Sequence, residues 1–178
     1  ARLALREMDQ DKVLAALDRW TQTLPKEDEF TRLQALWTYQ TINVSEPMLL
    51  QSRLSAKDPG VRAAASRVLG DWIRTHMLTS FSPAQKIHAH KPPIIITGGG
   101  ERVQTALQRL VADPHPRVRL EAVRACAGLD QSDAMDIALG ALDQPMDQFL
   151  DYALYLTAND LESTWLPAFQ SGKLTFDR

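Results

Sequence analysis

Apolar residues recur at helical spacing along nearly the whole chain. Lys12–Trp20, Pro47–Leu54, Val103–Val111, Ser132–Leu142 and Leu161–Phe169 each read as an amphipathic helix with one apolar face. A second set of helices alternates with these. In the best defined of them Val118, Ala122 and Cys126 lie four apart, Leu129 extends their stripe, and Arg117, Glu121 and Arg124 fall on the other side. Small residues such as Ala63, Ala64, Ala65, Ala122 and Ala125 allow close helix approach. The pattern predicts helix–turn–helix units over 1–42, 46–76, 102–129 and 132–158, a half-unit over 160–170, and an insertion over 77–101. Ile94-Ile95-Ile96-Thr97 is the one stretch that reads as strand.

The units are copies of one another. Val118-Arg119-Leu120-Glu121-Ala122-Val123-Arg124 follows Asp113-Pro114, and Val61-Arg62-Ala63-Ala64-Ala65-Ser66-Arg67 follows Asp58-Pro59. Two fainter copies keep the phase. Leu33-Gln34-Ala35-Leu36-Trp37 follows Lys26-Glu27-Asp28-Glu29, and Leu150-Asp151-Tyr152-Ala153 follows Asp143-Gln144-Pro145. A period near 30 residues, with one longer interval, is the signature of a helical repeat array. In each copy an aspartate is expected to cap the second helix by accepting from free backbone N–H groups: Asp58, Asp113 and Asp143. Proline is tolerated in the first turn because its missing donor has no partner there.

The Asp-Pro-x-Val-Arg pattern resembles HEAT repeats. The resemblance implies an all-α fold, a right-handed α-solenoid of about four hairpins with one long inserted loop. It also implies a ladder in which the Asp and Arg of successive second helices bond along the stack, with Asp58 and Arg62, then Asp113 and Arg119, as its members. LQALWTYQTI (33–42), ADPHPRVRLEAVRA (112–125) and ALDQPMDQFLDYALYLT (141–157) are similar, more narrowly, to a segment of large secreted planctomycete-type proteins. Those proteins join a sugar-dehydrogenase-like propeller, a helical array and a c-type cytochrome domain. That likeness implies a periplasmic or extracellular location, with other domains of a parent chain, or a separate protein, as partner. The haem motif Cys-x-x-Cys-His is absent, since Cys126 is followed by Ala127-Gly128-Leu129. Electron transfer is therefore not assigned to these residues.

Composition narrows the picture. The chain has 178 residues, 44% of them hydrophobic, so it can bury a core, and its formal net charge is −2. That balance argues against nucleic acid as the main partner, which needs a basic stripe. No apolar run approaches a membrane span. Cys126 has no partner for an internal disulfide and reads as a buried structural thiol.

Charge is uneven along the chain. From Gly128 to Trp165 there is no lysine or arginine, whereas Asp130, Asp133, Asp136, Asp143, Asp147, Asp151, Asp160 and Glu162 are present. Phe149, Tyr152, Tyr155 and Trp165 share this tract. Asp147, Asp151, Tyr152, Tyr155 and Trp165 are accordingly the candidate docking residues. His88 and His90, with His76 upstream, are weak metal candidates, because two ligands need a third or fourth. Gly98-Gly99-Gly100 lacks the lysine and hydroxyl of a phosphate loop. Trp20, Trp37 and Trp72 are expected in packing between repeats. No catalytic arrangement stands out and no cofactor is expected. The reading is a non-catalytic scaffold or interaction module. Its rival is a HEAT-like enzyme such as a bilin lyase or a DNA glycosylase.

Overall fold

The computed structural model describes residues 2–75, 102–129 and 131–176, and it is all-α. After a 3-10 segment at Arg2–Glu7 come α1 (Gln10–Thr23), α2 (Glu29–Thr41), α3 (Pro47–Leu54) and α4 (Pro59–Arg74). Beyond the insertion follow α5 (Val103–Val111), α6 (Pro116–Cys126), α7 (Ala134–Leu139, continued by a 3-10 turn to Asp143), α8 (Gln148–Asp160) and α9 (Glu162–Gln170). His76, His88, His90, the Ile94–Thr97 stretch and Gly98–Gly100 lie outside the described residues.

Helices pair in chain order: α1 with α2, α3 with α4, α5 with α6, and α7 with α8. The second helix of each pair also packs on the second helix of the next, so α2, α4, α6 and α8 form a continuous row. The closest part of that row is α4 against α6. A Cβ built on Gly70 would meet the Cα and Cβ of Ala125 at 3.1 Å, so glycine is what allows the two helices to approach so closely.

The apolar stripes read from the sequence close over one core. Leu36, Leu50, Leu69, Val118, Ala122, Cys126 and Leu150 are fully buried. Burial pushes the Cys126 thiol up to about 12, as expected of an inert core thiol. The tryptophans diverge. Trp72 is buried and Trp37 is half-buried. Trp20, expected in packing between repeats, is instead 41% exposed. It lines an apolar groove of about 460 Å³ with Leu5, Met8, Val13 and Leu17.

Two expected caps are corrected. The cap of α6 is His115, whose Nδ1 accepts from Arg117 N–H, and not Asp113. The reason is Pro116. A residue before proline is driven out of the helical region, and His115 is extended with ψ 122°, so the helix cannot begin earlier. Likewise Asp143 does not cap α8. Gln144 precedes Pro145 and is extended, and the helix starts only after Asp147, whose carboxylate accepts from Phe149 N–H and Leu150 N–H at 2.9 and 2.8 Å. Asp58 does cap α4, accepting from Val61 N–H at 3.0 Å.

Candidate interaction surface

Counting from the observed caps (Asp28, Asp58, His115 and Asp147) puts the second helices in one register. The fourth residue after the cap is Arg32, Arg62, Arg119 and Asp151 in turn. The first three behave alike. Arg62 donates through one terminal nitrogen to the carbonyls of Ala56 and Lys57, in the turn before its own helix. Its Nε and other terminal nitrogen donate to Asp113, in the next turn along, at 2.8 and 3.0 Å. Arg119 repeats the arrangement one hairpin later. It donates to the carbonyls of Asp113 and Pro114, and across to the carbonyl of Pro145 at 2.5 Å. Arg32 donates to the carbonyl of Leu24 in its own turn. At that first junction Glu29 reaches forward instead, accepting from the N–H groups of Lys57 and Asp58 at 2.7 and 3.0 Å.

The ladder therefore joins each turn to the next. Arg62 pairs with Asp113 across the junction, while Asp58 serves its own helix. Arg119 meets a carbonyl at the corresponding place, because Pro145 stands where an aspartate would. Burial pushes the Asp113 carboxyl up. The hydrogen bond and charge of Arg62 and the His115 N–H outweigh it, and the net shift is downward. Such a bidentate guanidinium–carboxylate pair, largely shielded from water, fixes geometry as well as energy.

A second set of ties crosses the row further along the helices. Gln40 donates to Asp71 at 2.6 Å. Arg67 grips Glu121 at 2.5 and 3.1 Å. Arg124 donates to Thr157 at 3.0 Å and Asp160 at 2.9 Å. Glu121, expected on the outer polar side, is thus 7% exposed and held by Arg67. Signals for these ties were absent from sequence spacing, since the partners come from different repeats.

On α8 the register position of the ladder arginines holds Asp151, which is exposed. Tyr152 and Tyr155, five and eight after the cap, are 61% and 63% exposed and stack with ring centroids 6.4 Å apart. Phe149 is exposed as well. No lysine or arginine occurs from Ala125 to Gly172. The candidate docking residues separate into three roles. Asp151, Tyr152 and Tyr155 form a continuous exposed strip. Asp147 is committed to capping α8. Trp165 is turned into the end of the array, where its Nε1 donates to the Ala158 carbonyl and its ring meets Phe169 and Phe176 edge-on.

Among the described residues no three histidine, cysteine, aspartate or glutamate side chains are grouped to hold a metal ion. No described helix is long and apolar enough to cross a membrane. No family model, no curated protein and no solved structure matches this chain.

Proposed function

We propose that this chain is a non-catalytic interaction module, a right-handed solenoid of stacked hairpins that docks a basic protein surface through α8. The observation that carries the reading is the contrast in exposure along the row. Arg119 is 2% exposed within the array, whereas Tyr152 and Tyr155 on α8 are more than half exposed beside Asp151. Exposed aromatic area beside unneutralised carboxylates suits a cationic partner. Charge steers the encounter, and tyrosine rings supply contact area and cation–π attraction. The narrower family likeness extends the proposal to a parent secreted protein with dehydrogenase and cytochrome parts, whose other domains would be the docked surface.

The test is affinity for a deca-arginine peptide at two salt concentrations. An Asp151→Lys, Glu162→Lys variant spares the Asp147 cap. Salt-sensitive binding by the wild type that falls about tenfold in the variant supports the reading, and equal affinities overturn it.

A further inference from the structure

The helix register says what shape of partner the α8 face fits. The residues by which one second helix meets the next are the fourth, ninth and twelfth after its cap, and at the eighth of α6 a backbone carbonyl. On α4 Arg62 reaches Asp113, Arg67 reaches Glu121, and Gly70 lies against Ala125, while the eighth residue is Ser66, buried and bonded to the Arg62 carbonyl. On α6 Arg119 reaches Pro145, Val123 offers its carbonyl to Thr157, and Arg124 reaches Thr157 and Asp160. On α2 the twelfth residue, Gln40, reaches Asp71. The corresponding residues of α8 are Asp151, Tyr155, Leu156 and Asn159, all exposed apart from the half-buried Leu156. This is the face on which a neighbouring helix sits everywhere else in the row. α9 lies beside α8 as a first helix would, and none of its residues is buried.

Charge at this face is inverted. Where α4 meets α6, the fourth position is cationic and the residue two before the next cap, Asp113, is anionic. On α8 the fourth position is anionic. A helix seated in the same register must therefore bring a cation two residues before its own cap.

Resting on the docking proposal above, we infer that the α8 face receives a single amphipathic helix of another protein, laid in the position of a further second helix, with a lysine or arginine from its preceding turn paired to Asp151. The pair is the Arg62–Asp113 contact with its charges exchanged, one long and one short side chain as before. Tyr155 is bulkier than Ser66 and Asn159 than Gly70, so the docked helix carries small residues opposite them and stands further off than α6 does from α4.

The chain itself supplies the probe. A peptide of residues 112–126 holds α6 with its preceding turn. With Glu121→Ala and Cys126→Ser it is made in two forms, one keeping Asp113 and one with Asp113→Lys. Each is titrated into the isotope-labelled 178-residue protein and followed by backbone amide shifts. The lysine form is expected to move the amides of Asp151, Tyr152, Tyr155 and Asn159 and to bind about tenfold tighter than the aspartate form. In Asp151→Arg, which keeps the helical circular dichroism of the wild type, the order reverses. That exchange is what a merely acidic surface does not produce. No binding, shifts centred elsewhere such as the groove at Met8 and Trp20, or the same preference in both proteins overturns the inference. Shifts that grow with protein concentration in the absence of peptide also overturn it, by making a second copy the occupant. If deca-arginine binds as proposed and the peptides fail to exchange, the helix is wrong and the docking surface stands. If deca-arginine also fails, both fall.

Discussion

Arg62 and Asp151 occupy the same place on two copies of the same helix and do opposite things. Arg62 lies under the next hairpin, where its guanidinium meets two carbonyls of its own turn and a carboxylate of the following one. Asp151 has no hairpin over it among the described residues and is exposed. A repeat position is thus a structural tie when a neighbour covers it and a surface for recognition when none does. The chemistry follows the covering. A cation that can donate several hydrogen bonds is needed inside the stack, because turn carbonyls left there unpaired are costly. Outside, water satisfies those groups and the residue is free to select a partner.

The largest expected effect breaks the covered side of this comparison. Arg62→Ala leaves Asp113 buried with the His115 N–H still donating to it, and should destabilise by about 3 kcal/mol in denaturant unfolding. The pH dependence sharpens it. The Asp113 carboxyl is held below its ordinary value when folded, so its contribution is present above the usual carboxylate range and is lost as pH falls through the lowered value. The gap between wild type and Arg62→Ala should therefore narrow as pH falls below the ordinary aspartate value of about 4. A gap constant across that window would show that the pair is not what stabilises the junction.

The next effect compares two arginines on one helix. Arg119→Ala strands the turn carbonyls of Asp113, Pro114 and Pro145 in a buried setting and should cost about 2 kcal/mol. Arg124→Ala removes a pair whose side chains are 33% and 49% exposed, and should cost less than about 1 kcal/mol. Equal midpoints for the two variants would erase the distinction between the turn ladder and the outer ties.

How far this was legible in the sequence depends on how local the cause is. α3 and α5 end where their apolar spacing ends, and both could be read directly. Arg62 and Arg119 stand in the repeated motif and were also readable. Arg32 was not, because its turn lacks the Asp-Pro pair that sets the phase. The caps of α6 and α8 fall later than Asp113 and Asp143 because Pro116 and Pro145 hold the residue before each extended, an effect that outweighs the capping preference of aspartate. Arg67 with Glu121 and Arg124 with Asp160 join residues 54 and 36 apart in the chain, so only the stacking of the hairpins brings them together. The charge gap after Arg124 was visible at once, but Asp147, Asp151 and Trp165 became separable into cap, face and end-packing only once the register was known.

The smallest expected effects test the open side. Asp147 and Asp151 are one turn apart on α8, and by charge alone they are equivalent. Their hydrogen bonds say otherwise. Asp147 accepts from two backbone N–H groups that have no partner within the helix, so Asp147→Ala should destabilise by about 1 kcal/mol. Asp151 is exposed, and Asp151→Ala should change stability by no more than about 0.5 kcal/mol, the range of surface positions without a special role. Binding to a cationic probe should divide the other way, with Asp151→Ala weakening it and Asp147→Ala leaving it nearly intact once the folded fraction is matched. Thermal midpoints and probe affinities for the two variants, measured side by side, decide the matter. If Asp151→Ala lowers the midpoint as much as Asp147→Ala does, Asp151 is a structural residue like Arg62, and the contrast between covered and open positions fails at its most exposed point.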